Sequence, residues 1–526
     1  MISRPNEFDD RSLARSSSWG VIAQAVHLGS RLLLTPLVVS FVGLGTYAYW
    51  SLIFAVLGWL GLHRIGFVAS AIPLASKCIS QEDVPGAERF LRGASNLSLV
   101  LGAVATTSAF LFGRSFIEFL GVTADLQGEA HAALLITLFA TSVALVLGGF
   151  QSALEATNKF PRVKGIEVCC ALSESIVVVL FLTAGWGLVG MACAYALRLV
   201  SQVFLCAIYA RKQFPTLRPW PGRSSKKTLV TLLRFGGSMQ VIGFLHLSVA
   251  FVDRMFVVTF LGLISSGVFE LTRKLVNFGA GLIAQGLSPV APATARLQAT
   301  QPSQVQEFIG RTIRMTSLFG VLPLAWLSAS SHVIIHAWLG SVPPHSELIL
   351  SVLSIAAYIH LMTGPWTAVL RGLERTKEEF TYTATWLVLV FVLLPTGFEF
   401  FGLYGVLVGS AAAQGLSSGV LIVLAKKSLT PNHSIIPWEL GRPVLAILPA
   451  FLLSRAISSL MADGIDRWAS FSACLVAGVT LVAAYLPLAW LIVLTPSDRR
   501  FMLSLVSRSK IGQREDEMRA LKCNSQ

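Results

Sequence analysis

A chain of 526 residues in which 54% are hydrophobic and only 13% charged cannot be a water-soluble globule, since soluble domains carry about a quarter charged residues. The formal net charge of +14 does not point to nucleic acid, because the bases gather in short segments between apolar runs, where they set membrane orientation. Seven cysteines without CxxC spacing argue against disulfides and zinc.

From the N-terminus, residues 1–16 mix acids with bases and run into an apolar segment without a small-residue cleavage site. This stretch reads as a cytoplasmic tail rather than a removable leader. Apolar runs of bilayer length then recur near 17–42, 46–72, 94–113, 130–153, 165–183, 186–210, 235–261, 264–290, 312–331, 347–370, 381–399, 403–425, 443–461 and 468–494. Lipid offers no partner to an unpaired backbone group, so each is expected as a helix. The expected fold is all-α and polytopic, with fourteen transmembrane helices. Of the 41 Lys and Arg, 32 lie in the two tails and in alternate loops (76–92, 155–164, 211–234, 296–314, 371–377, 426–442), while Arg114 and Arg467 fall in the opposite set of loops. The positive-inside rule therefore puts both termini in the cytoplasm.

An internal repeat organises the spans. A shift of 219 positions aligns LVVSFVGLG (37–45) with FVVTFLGLI (256–264), IPLASK (72–77) with APATAR (291–296), FLG (119–121) with WLG (338–340) and ALEAT (153–157) with GLERT (372–376). His27 falls on His246 at the same shift, which favours a shared structural hydrogen bond over a proton relay. GLVG (187–190) and GLYG (402–405) continue the match after a small deletion. Each repeat holds six helices, an even number, so the halves have the same orientation. The expected division is an N-terminal bundle over 17–210, a basic linker over 211–234, a C-terminal bundle over 235–425, an extra helical pair over 443–494 and a basic cytoplasmic tail over 495–526. Two like-oriented bundles around a cleft suit an alternating-access carrier.

Charged residues inside these helices mark the candidate site, because each costs on the order of 2.5–3.5 kcal/mol at bilayer depth and so needs a partner or an aqueous face. The candidates among them are Arg31, Arg64, Glu174, Asp253, Arg254, Glu270, Arg273 and Lys274, while Arg198 and Arg455 are left open between cavity and packing roles. Glu270 and Lys274 have the spacing of a helical ion pair. Asp253 and Arg254, adjacent on one helix, cannot face each other, and Arg273 is the expected partner of Asp253. Arg31, Arg64 and Arg254 are then left with Glu174 alone, and the surplus is positive. Guanidinium forks suit phosphate oxygens, so Arg31, Arg64, Arg254, Arg273 and Lys274 are the candidate substrate-binding residues. Asp253, Glu270 and Glu174 are the candidate charge-balancing residues. Without phosphate loops, catalytic triads or metal-ligand clusters, no enzyme, metal or cofactor is expected.

FVGLGTYAYWSLI (41–53), HRIGFVASAIP (63–73), RFGGSMQ (234–240), FVDRMFVVTFLG (251–262), GVFELTRKL (267–275) and LSPVAPATARL (287–297) resemble the polysaccharide or O-antigen flippases of the MOP exporter superfamily over about residues 15–425. The resemblance implies a MATE-like fold. It also implies transfer of an undecaprenyl-diphosphate-linked oligosaccharide across a bacterial inner membrane, with membrane lipid, a polymerase and glycosyltransferases as partners. Where the family often has an acid before the glycine equivalent to Gly66, this chain has Arg64, which weakens a cation-coupling role for helix two; Asp253 or Glu270 remains able to carry a coupling proton or sodium ion. Three alternatives stay open: a MATE-type drug antiporter, which should favour an acidic cavity, a peptidoglycan lipid precursor flippase, and a non-transporting polysaccharide assembly factor.

Overall fold

The computed structural model describes residues 10–500 apart from 64–68, 82, 158, 216–218, 223, 288–289, 301–303, 374, 430–435 and 462–465. Arg64 and most of the C-terminal basic tail thus lie outside the described residues. Within them every regular element is a helix: α1 Asp10–His63, α2 Ala69–Ser80, α3 Val84–Phe119, α4 Ala124–Ala156, α5 Phe160–Thr183, α6 Gly187–Gln213, α7 Lys226–Gln285, α8 Val290–Thr300, α9 Val305–Ala329, α10 Ser331–Leu339, α11 Ser346–Leu361, α12 Thr363–Gly372, α13 Lys377–Leu429, α14 Ile436–Leu460 and α15 Arg467–Ile492.

Eleven of these segments are long and apolar enough to cross a membrane. Three are too long for one crossing: the apolar part of α7, Gln240–Gln285, has 46 residues, about 69 Å as a straight helix against a hydrocarbon core of about 30 Å. Each of the three turns at one glycine with a non-helical backbone, Gly43 in α1, Gly262 in α7 and Gly402 in α13. Divided there, the segments are compatible with the fourteen crossings expected. Many large side chains on their outer faces are bare, among them Leu33, Phe400 and Leu460, as lipid-facing residues are. The chain is a multi-pass membrane protein.

The corners carry the repeat into three dimensions. Gly43 (φ 77°, ψ 166°) and Gly262 (φ 81°, ψ 169°) are 219 residues apart and share a conformation that is essentially reserved for glycine. Gly121 and Gly340 keep the same separation, with φ of 70° and 79°. Gly187 and Gly402, paired after the deletion, have φ of 48° and 55°. All of these turns join an odd crossing to the following even one, so they lie at one end of the molecule, the corner end. The basic loops lie at the other.

In the first half Tyr49, Leu52, Leu134, Leu138 and Leu188 bury one core, and in the second Val249, Phe269, Val390, Leu394 and Val406 bury its counterpart. The limbs of α13 pack backbone to backbone, since a Cβ on Gly405 would lie 1.8 Å from the Gly397 carbonyl oxygen. The extra pair, α14 and α15, packs on α9 through Ala446, Ala450, Leu481 and Tyr485 against Leu318 and Val321. Beyond α15, Asp498 is fully buried and binds Arg314 of α9 through Nε at 2.7 Å and Nη2 at 3.2 Å. Thr495 adds a hydroxyl bond of 2.6 Å to the same carboxylate.

Candidate functional site

Between the halves lies a cavity of about 270 Å³, walled by α1, α5 and α6 from one side and by both limbs of α7 from the other. His27, Arg31, Thr35, Tyr47, Phe54 and Glu174 line the first wall; Arg254, Glu270, Arg273, Lys274 and Asn277 line the second. The sequence places these charges at the cavity by helical spacing: Arg31 and Thr35 are four apart on α1, and Glu270, Arg273 and Lys274 occupy one turn of α7. Seven of the eight candidate residues meet here, Asp253 lying just behind the wall; Arg64 is outside the described residues.

The pairing differs in part from that expected. Arg273 Nη2 donates to Asp253, as the adjacent Asp253 and Arg254 required. Glu270, however, is not neutralised by Lys274. Its Oε1 accepts from Arg254 Nε at 2.7 Å and lies 3.9 Å from Arg273 Nε. The i,i+4 spacing permits a Glu–Lys pair, but a guanidinium on the facing limb reaches the carboxylate more directly and offers directed N–H groups. Lys274 points instead across the cavity and donates to Thr35 Oγ1 of the opposite half at 2.6 Å, with Nζ 5.0 Å from the centre of the Tyr47 ring. Arg254 is consequently not left without a counter-charge.

Arg31 has a weaker anchor. Its guanidinium lies 3.7 Å from Glu174 and 4.7 Å over the Phe54 ring. Glu174 is held more closely by Arg198 of α6, at 2.9 Å, a residue that sequence reading did not assign. Its signal was a base in mid-helix one turn of reach from Glu174 in space, which spacing along a single helix does not reveal. Four cationic side chains against two carboxylates line the space, a surplus of two positive charges, and adding Arg198 and Asp253 behind the wall leaves that surplus unchanged. His27 also faces the cavity, and its Nδ1 is buried with no hydrogen-bond partner among the described residues. His246 lies 3.4 Å from Thr383, so the symmetry mates do not share the structural hydrogen bond expected of them.

The arrangement can hold a small anionic group. Among the described residues Arg31 keeps donor capacity beyond its long ion pair with Glu174, and Lys274 is held by a hydroxyl and an aromatic ring rather than by a carboxylate. Charge rather than a catalytic constellation is what the cavity offers. Among the described residues no cluster of three or more His, Cys, Asp and Glu could hold a metal ion.

Comparisons with known proteins agree with this architecture. Residues 88–342 match the family model described as polysaccharide biosynthesis protein. The chain is 22% identical over 505 residues to the uncharacterized membrane protein EpsK of Bacillus subtilis (strain 168), covering 91% of this chain and 94% of that protein. Its fold is similar to that of the lipid II flippase MurJ in an inward closed conformation, with a TM-score of 0.67 and 16% identity over 89% of this chain and 97% of that one. It is also similar to the inward-facing conformation of a multidrug resistance MATE family transporter of the MOP superfamily, with a TM-score of 0.66 and 16% identity over 80% and 98% of the two chains. These findings agree with the resemblance carried by the sequence motifs: the chain has the fold of the MurJ and MATE structures, and 255 of its 526 residues match the polysaccharide biosynthesis family model.

Proposed function

We propose that this protein moves a lipid-linked oligosaccharide, as its undecaprenyl diphosphate, from the inner to the outer leaflet of a bacterial cytoplasmic membrane by alternating access. In this reading both termini and the basic loops face the cytoplasm, and the halves over 17–210 and 235–425 rock about the cavity between them. The observation that carries it is the surplus of positive charge in a space lined by both halves. A diphosphate is the group such a space favours, and an organic cation is one it disfavours. Arg31, Arg254, Arg273 and Lys274 would hold the phosphates, with Arg64 a further candidate. Asp253, Glu270 and Glu174 would pose the guanidiniums, and the lipid tail would stay in the bilayer.

The test is mass spectrometry of lipid-linked oligosaccharides, alongside surface polysaccharide, in cells with and without the protein. Accumulation of one undecaprenyl-diphosphate oligosaccharide with loss of the matching surface polymer is expected. Arg31→Ala and Arg254→Ala should each reproduce that accumulation while the protein remains in the membrane; Arg31→Ala is the cleaner variant because Glu174 keeps Arg198 at 2.9 Å. Normal export by both variants would overturn the cavity reading. Unchanged lipid intermediates with altered export of small cations would favour drug antiport instead.

A further inference from the structure

Pro36 sits inside α1, next to the cavity residues Arg31 and Thr35. A proline has no N–H, so the carbonyl four residues back, that of Leu32, loses its helical partner, and in lipid an unpaired carbonyl is costly. The missing donor comes from the other half. Trp338 Nε1, in α10 at the corner end, donates to the Leu32 oxygen at 2.9 Å. The neighbouring carbonyl is also tied across the cleft, for the Arg31 oxygen accepts from Thr35 Oγ1 at 2.6 Å, and that hydroxyl accepts from Lys274 at 2.6 Å.

The repeat supplies a control within the same chain. At the 219-residue shift Pro36 falls on Met255, which has an N–H for its own helix, and Trp338 falls on Phe119, whose ring has no donor and is 66% exposed. The proline and the indole are therefore each present in one half only, and they meet. Trp338 is itself braced from the extra helices, since Arg467 at the start of α15 donates to the carbonyls of Ala337 at 3.1 Å and Trp338 at 2.8 Å.

From this we infer that Trp338 is a positioning residue for transport: its indole N–H replaces the amide that Pro36 lacks and holds this stretch of α1, with Arg31 on it, against the second half in the state seen here. Movement of the halves then breaks a bond that no residue of α1 itself can remake. The consequence for transport rests on the function proposed above, whereas the bond and its effect on the distance between the halves do not.

The experiment uses the full chain in lipid nanodiscs, with spin labels at Asp125 and Leu348, exposed residues near the starts of α4 and α11, and no substrate added. Trp338→Phe keeps a ring and removes the N–H. It should shift population toward longer distances between the halves about two- to tenfold, the range of one net hydrogen bond. Pro36→Ala restores an in-helix donor for Leu32, so Trp338→Phe should have little further effect in that background. An equal shift in both backgrounds, or none in either, overturns the inference, because the indole would then act by packing alone or not at all. If the shift depends on Pro36 but Arg31→Ala exports normally, the inference stands and the substrate reading fails.

Discussion

Glu270 illustrates how a residue's partner is chosen. Four residues separate it from Lys274, yet the carboxylate turns to Arg254 on the facing limb, and the freed ammonium reaches over to Thr35. Spacing along a helix lists the neighbours a side chain can have; the limb packed against it selects one. At the same scale, Gly262 adopts φ 81° and ψ 169°, where a Cβ clashes with the backbone. Gly262→Ala should cost about 1–3 kcal/mol even though nothing lies within 4 Å of the added methyl. A thermal-unfolding midpoint in detergent unchanged from the parent protein would contradict the strain argument.

Among the elements, the segment after α15 is attached through a buried carboxylate, that of Asp498. Thr495-Pro496-Ser497-Asp498 is a helix start in which the Asp498 carboxylate accepts from the Thr495 amide at 3.2 Å and the Asp498 amide bonds Thr495 Oγ1 at 3.3 Å, the reciprocal arrangement of a capping box. The same carboxylate binds Arg314 and approaches Arg311 at 3.4 Å, so one side chain fixes the C-terminal pair to the second bundle. Burial pushes the Asp498 carboxyl up, but the hydrogen bonds from Arg314 and Thr495 and the Arg314 charge outweigh it and hold the carboxyl below its ordinary value. A pKa lowered by folding adds stability above the unfolded value and loses it as pH falls through the folded one. The clamp should therefore be intact at neutral pH and open only in acid. Asp498→Asn removes the carboxylate that binds Arg314 at 2.7 Å and should lower stability by about 1–3 kcal/mol, measurable as a lower unfolding midpoint at pH 7 that converges on the parent value in acid.

For the whole molecule, closure at the corner end depends on a glycine. Gly267 of the second half approaches Leu44 of the first so closely that a Cβ would lie 2.7 Å from the Leu44 carbonyl oxygen. Backbone cannot give way as a flexible side chain does, so Gly267→Leu should hold the halves apart there. Faster amide hydrogen exchange over residues 44–49 and 262–267 is the expected result; exchange like that of the parent would mean the halves close without this contact. A neighbouring, mostly apolar cavity of about 690 Å³, lined by Gly45, Tyr49, Val122, Leu126 and Gly262, places open space beside the same corner.

Hydropathy alone established the all-helical membrane architecture, because a bilayer leaves the backbone no other way to satisfy its polar groups. The 219-residue self-match likewise announced two like-oriented halves, and the glycine pairs Gly43–Gly262 and Gly121–Gly340 in the aligned motifs keep it in three dimensions. The Asp253–Arg273 pair was legible too, since adjacent opposite charges on a helix must each look elsewhere. What only tertiary structure decided was which groups meet between helices: Arg198 with Glu174 inside the first half, and, across the cleft, Lys274 with Thr35 and Trp338 with the carbonyl that Pro36 leaves open. Those partners are separated by as many as 306 positions, and a periodicity that reports one helix face carries no information about the face opposite.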